Sequence, residues 1–273
     1  MTEQSVRPAD LKGASVWLAM HGLTDVRPTP LLAARLAARR RARLASSVLL
    51  AAFIIAVAFV YGFARPPGPA ADGPGWFRHW SLLVLTALVG GLVLAQSLLD
   101  RRVRRVDRRA GAKLPRRAAH SVRPGWRTVL GLPRAAFAVA TFAGAMVLAI
   151  AAFTVQGSTA RYGALVLLIG LCGVAVGTAA QLRHVLTHPV VAEDEVSLTT
   201  DSIMRVEDAR EITTPTVAWC LPGASVLDAV PGWWVAAWCV FIALSAVSLA
   251  LITVWTGLTA RRRGTPLAPS VNR

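Results

Sequence analysis

His184 and His188 stand four residues apart, a short step before Glu193, Asp194 and Glu195. On a helix that spacing puts both imidazoles on one face, where they can hold Zn²⁺ or a similar ion with a carboxylate as third ligand. Pro189 follows directly, so the helix ends there, and histidine also suits a helix C-terminus because it complements the dipole. The metal reading therefore stands beside an electrostatic one. Elsewhere the chemical signals are missing: the chain has no GxSxG, no HExxH and no Gly-rich phosphate loop ending in Lys. We expect no enzymatic activity, no cofactor and no ATPase of its own.

Other candidate groups depend on the surroundings they are given. Asp228 is the one acidic residue within an apolar segment, and intramembrane carboxylates mark ion or proton paths. Gly163, Gly170 and Gly177 recur every seven residues, and Gly173 forms GxxxG with Gly177. Small residues at that spacing let helix backbones approach closely, within the chain or across a homodimer. Cys172, Cys220 and Cys239 are an odd set inside apolar segments, which reads as filler and not as a disulfide framework.

Arginine is the other conspicuous residue. The 273-residue chain has a net charge of +16, and its only lysines are Lys12 and Lys113. Arg35, Arg39 and Arg43 recur every four residues in a segment opened by Thr29-Pro30. Pro is favoured at the first helical position, so a basic helix starts here, either lying on the membrane surface or extending the first span. Arg101, Arg102, Arg104, Arg105, Arg108 and Arg109 crowd the start of a basic loop at 100–134. They fit anionic lipid headgroups or a cytoplasmic partner; nucleic acid is the least fitting of the readings. The stretch 183–211 is acidic, with Asp201, Glu207, Asp208 and Glu211 among its carboxylates. It is expected to fold back on the basic loop, with 200–212 as a short surface helix.

The elements that must position these groups are apolar. The composition is 55% hydrophobic with a mean hydropathy of +0.52. Runs at 45–64, 80–99, 135–155, 162–182 and 233–256 contain no charged residue or histidine. Each is long enough to cross a hydrocarbon core of roughly 30 Å, and lipid forces such runs into helix. The expected fold is an all-α polytopic transmembrane bundle. It has a cytoplasmic N-terminal segment (1–44), a membrane domain (45–256) and a cytoplasmic tail (257–273). Asp10 is expected to cap a first short helix that stops at Gly22, and the first apolar run lies too far in to be a cleaved signal peptide.

Arginine-rich flanks stay cytoplasmic, which places the N-terminus and the loops 100–134 and 183–211 inside. Arg261–Arg263 ask for the C-terminus to be inside too, and five crossings would leave it outside. The segment 212–230, apolar but interrupted by Pro215, Pro222 and Asp228, supplies a weak sixth crossing. Broken spans are tolerated where protein buries them or where they line a cavity. Trp76, Trp80, Trp219, Trp233, Trp234 and Trp255 fall near span ends, where indoles favour the interface.

The stretch VAEDEVSLTTDSIMRVEDARE at 191–211 resembles a cytoplasmic segment of uncharacterised multi-pass membrane proteins of high-GC Gram-positive bacteria, a likeness that carries no assigned activity. In layout the chain is similar to the permease subunits of ABC-2-type exporters. It shares the basic surface helix, six crossings, inner termini and a broken penultimate hairpin, and departs in its long loop before the last hairpin. That likeness implies a bacterial cytoplasmic-membrane exporter subunit served by a separate ATPase. The alternative is a non-transporting scaffold, sensor or regulatory subunit.

Overall fold

The structure, a computed structural model, describes residues 7–64, 75–112, 125–187, 195–225 and 230–262. It is a bundle of helices: α1 (Pro8–Met20), α2 (Pro30–Ala64), α3 (Gly75–Ala112), α4 (Trp126–Val129), α5 (Leu132–Ala151), α6 (Ser158–Thr187), α7 (Glu195–Ile212), α8 (Thr216–Ser225) and α9 (Gly232–Arg262), with a 3-10 turn after α5. Five helices are long and apolar enough to cross a membrane: α2, α3, α5, α6 and α9. The chain is an α-helical multi-pass membrane protein.

Two helices outlast the bilayer. α2 has 35 residues and α3 has 38, so at 1.5 Å per residue they reach about 52 and about 57 Å. The Arg35–Arg43 segment is thus an unbroken extension of the first span, begun where the Leu32 amide donates to Thr29 Oγ1 at 3.3 Å. This decides between the two readings of that segment. The expected basic loop is likewise helix as far as Ala112, because nothing in Asp100–Ala112 breaks the helix of the span before it. Asp10 caps nothing: α1 begins two residues earlier with Pro8 at its start, and Asp10 sits in its first turn. Gly22, at φ +75°, takes the left-handed turn that follows α1.

α8 is too short to cross alone. Its 10 residues, with Pro222 inside, span about 15 Å. Its neighbours nevertheless show where the chain travels. Just before it, Glu211 pairs with Arg43 on the basic extension of α2. Just after, the Trp234 indole donates to the Leu148 carbonyl at 2.9 Å, close to the opposite end of α5. The chain therefore passes from one end of the bundle to the other between Ile212 and Trp234, with α8 as the helical part of the passage. α9 then runs back antiparallel to α5. Asp228 lies outside the described residues.

The core joins Phe53 and Val57 of α2, Leu85, Val89 and Leu92 of α3, Ala145 and Ala149 of α5, Ala164, Leu167 and Leu171 of α6, Ala218 and Leu221 of α8, and Trp234 and Trp238 of α9. Lipid provides no hydrophobic drive between helices, so close approach through small residues has to hold them. Gly170 illustrates this: a Cβ there would stand 3.1 Å from Val89 and 3.4 Å from Leu221. At Gly173 it would stand 3.5 Å from Val93. These glycines, with buried Gly163, seat α6 against its own chain. Gly144, which the seven-residue pattern does not include, lets Phe241 of α9 lie 2.7 Å from where its Cβ would be.

The tryptophans divide. Trp80, Trp233 and Trp255 are exposed, as interfacial residues should be, but Trp234 is fully buried and stacks on Trp238 at 5.4 Å. Trp234 is a core residue because its indole N–H finds a backbone carbonyl inside the bundle, which removes the need for water. Trp219 also turns inward, with its Nε1 buried. The three cysteines are free, and Cys172 and Cys239 are exposed on the apolar surface.

Candidate functional site

At the end of the bundle where the arginines collect, α7 lies along the extension of α2. Arg35, Arg39 and Arg43 of α2 repeat every four residues, so one stripe presents all three. Arg35 meets Asp201 at 2.7 Å, Arg39 meets Asp208 at 2.9 Å, and Arg43 bonds Glu211. Partner numbers rise together on both helices, so the two run parallel. α1 closes the third side: Trp17 Nε1 donates to Glu207 at 3.2 Å, His21 Nε2 faces Glu207 at 3.2 Å, and Asp10 meets Arg41 at 3.2 Å. Leu18, Leu32 and Met204 form the small apolar centre of this cap.

The acidic stretch thus folds back as expected, but onto α2. Its described carboxylates are taken up by Arg35, Arg39, Arg43 and α1, and none pairs with Arg101, Arg102 or Arg105. The physical reason is register. Parallel docking of α7 lays Asp201, Asp208 and Glu211 in order along the α2 stripe, one on each of Arg35, Arg39 and Arg43.

The pairs are unequal in weight. The side chains of Arg35 and Asp201 are 9% and 2% exposed, and Asp201 also accepts from Arg205 at 2.8 Å. Such a pair holds a register and is costly to break on one side only. Arg43 and Glu211 are exposed, so their attraction is screened and small. Loss of hydration pushes the Glu211 carboxyl above its ordinary range. The Arg43 charge and hydrogen bond offset part of that shift, and Asp208 and Glu207 reinforce it.

Beneath α7 lies a cavity of about 530 Å³ between α2, α3, α6 and the start of α8. Its apolar wall includes Leu50, Val93, Phe142, Val174 and Val217. Its polar wall comes from side chains at helical spacing: Arg39, Arg43 and Ser46 on α2; Gln96, Asp100 and Arg104 on α3; Thr178, Gln181 and His184 on α6. Ser46 and Gln96 bond reciprocally, Gln96 Nε2 donating to Ser46 Oγ at 2.9 Å and Ser46 donating to Gln96 Oε1 at 3.1 Å. Gln181 donates to Asp100. These bonds tie α2 to α3 and α3 to α6 where unsatisfied amides would be expensive. A chamber with one apolar wall and one wall carrying both signs of charge suits an amphiphilic or zwitterionic guest.

The candidate residues fare differently. His184 reaches the cavity wall, His188 lies outside the described residues, and no group of three metal ligands occurs among the described residues. Gly177 lines the cavity, and a Cβ added there would meet nothing within 4 Å, so it faces open space and makes no packing contact. Arg101, Arg102 and Arg105 are exposed on α3, Arg104 lines the cavity, and the side chains of Arg108 and Arg109 are not described. Asp100 was missed because the apolar run stops one residue before it. Its signal was present: Gln96, Asp100 and Arg104 are successive i,i+4 neighbours, a polar stripe entering the span.

Comparison with family models, with curated proteins and with solved structures finds no match.

Proposed function

We propose that this chain is a permease-type subunit of a bacterial exporter in the cytoplasmic membrane, working with a separate ATPase. The observation that carries the reading is the mixed-polarity cavity of about 530 Å³ at the arginine-rich end, bounded by the half-length helix α8. Broken helices beside a polar cavity are where membrane proteins place transported guests. Arginine concentration makes this end cytoplasmic. The exposed Arg101, Arg102 and Arg105 on the protruding α3 offer a docking surface to an acidic partner. Rocking of the helices that bound it would expose the cavity alternately to the two sides.

The runner-up is a non-transporting scaffold or regulatory subunit, and the clasp of α7 on α2 favours it, because a docked helix can be exchanged for a partner's. One experiment separates them. A Thr178→Cys variant, with the three native cysteines replaced, carries a thiol on the cavity wall. In membranes holding the native complex, an impermeant thiol reagent should label it from the cytoplasmic side at rest. Labelling should fall at least severalfold during ATP turnover, and neutralising Arg101, Arg102 and Arg105 together should abolish that fall. Labelling indifferent to ATP would favour the scaffold.

A further inference from the structure

The lining of the cavity beneath α7 follows an order that three helices repeat. Down α2 from its arginine-rich end it passes from Arg43 to Ser46 to Leu50. On α3 the same descent runs from Arg104 to Gln96 to Val93, and on α6 from His184 to Gln181 to Val174. Each helix therefore carries a basic side chain at the mouth, a neutral polar one half way and an apolar one inside. Arg43 and Leu50 are seven residues apart, about 10 Å along the helix axis. Asp100, the acid that these three helices add to the lining, is bonded to Gln181.

The other acids at the mouth belong to α7. Glu211 bonds Arg43, with Asp208 at 3.9 Å and Glu207 at 4.0 Å from the same guanidinium. Asp208 also meets Arg39 at 2.9 Å, and both Asp208 and Glu211 line the cavity. The carboxylates of α7 thus stand where an anionic headgroup would stand. With α7 lifted away, the wall that remains carries Arg39, Arg43 and Arg104 against Asp100 among its described residues, which favours an anion. Exchange at Arg43 strands no buried charge, because the side chains of Arg43 and Glu211 are 43% and 48% exposed. A phosphate or carboxylate would accept the forked guanidinium bonds, and a hydrocarbon tail would lie against Leu50, Val93 and Val174. We propose that the guest of this cavity is an anionic amphiphile whose head replaces Glu211 on Arg43, so that its binding unlatches α7. This deepens the reading of the cavity as a guest site and rests on it. α7 is then an autoinhibitory lid, held by the arginine that the guest uses. Linkage makes the effect reciprocal: whatever loosens α7 tightens the guest.

The test uses the full chain purified in a neutral maltoside detergent and titrated with dodecyl phosphate, dodecyltrimethylammonium or inorganic phosphate. Native mass spectrometry gives the bound copies and affinity. Thiol labelling of Met204→Cys, in a background without the native cysteines, reports release of α7, since Met204 is buried beneath it. Dodecyl phosphate should bind at one saturable copy and speed that labelling severalfold. Arg43→Gln should weaken its binding about tenfold or more, as expected for losing a charged hydrogen bond. Glu211→Gln should tighten it severalfold. So should Asp201→Asn, which loosens α7 from a position outside the cavity lining. Should Arg43→Gln fail to fold, Glu211→Gln decides the matter: unchanged or weaker binding there would overturn the proposal. Equal binding of dodecyltrimethylammonium would also overturn it, as would labelling indifferent to saturating dodecyl phosphate. Inorganic phosphate binding as well as dodecyl phosphate would assign a free-anion site instead. No ATP is present, so failure here leaves the exporter with a different guest, whereas ATP-indifferent labelling of Thr178→Cys sinks the exporter and leaves this binding result standing.

Discussion

Replacing Asp201 by Asn should release α7 more than any other single change at the clasp. Asp201 is 2% exposed and serves two arginines, Arg35 at 2.7 Å and Arg205 at 2.8 Å. An amide keeps the shape but removes the negative charge that Arg35, itself 9% exposed, meets at 2.7 Å. Removing one partner of a buried pair costs about 3–5 kcal/mol. The reciprocal change, Arg35→Gln, should cost less, because Asp201 retains Arg205. The assay is thiol labelling of Met204→Cys, in a background without the native cysteines, since Met204 is 1% exposed in the apolar centre of the cap. With labelling limited by opening of the clasp, 3–5 kcal/mol corresponds to an acceleration of about a hundred- to several thousandfold for Asp201→Asn. Replacing Arg35 and Asp201 together by leucine should recover the part of the loss that comes from Arg35, but not the part from Arg205, which still loses Asp201. An acceleration below about threefold for Asp201→Asn would refute the claim that this pair fixes α7.

Glu211→Gln should behave oppositely. The folded protein raises the Glu211 pKa above its ordinary 4.5, so protonation favours the folded state. The stability from the neutral form is complete below 4.5 and is lost as pH rises through the raised value. The variant should therefore match or slightly exceed wild type in thermal midpoint at neutral pH, with the difference vanishing as pH falls through the acid range. Gly170→Ala should cost about 1–3 kcal/mol by pressing on Val89 and Leu221, whereas Gly177→Ala, facing open space, should stay within about 0.5 kcal/mol in the same unfolding assay. Reporters fused before Pro8 and after Arg262 should light up on the same side of the membrane; opposite sides would show that the passage from Ile212 to Trp234 is not a crossing.

The sequence by itself determined the class of fold and most of its long helices. Runs free of charge admit one solution in lipid, which is why α2, α3, α5, α6 and α9 could be read directly. It also disclosed which groups were unusual: the arginine repeat, the acidic stretch and the glycines of α6. Only tertiary structure decided their partners. Arg35, Arg39 and Arg43 are as spaced for headgroups as for acids, and it is the parallel docking of α7, more than 150 residues later, that assigns them Asp201, Asp208 and Glu211. Trp234 reads as an interfacial anchor until α5 brings the Leu148 carbonyl beside it. The cavity is legible only in fragments, because its wall is assembled from stripes on separate helices, each of which alone is an ordinary polar end to a span. Local pattern fixes what a segment must bury or expose, but the choice among chemically equivalent partners is made by the crossing and register of whole helices.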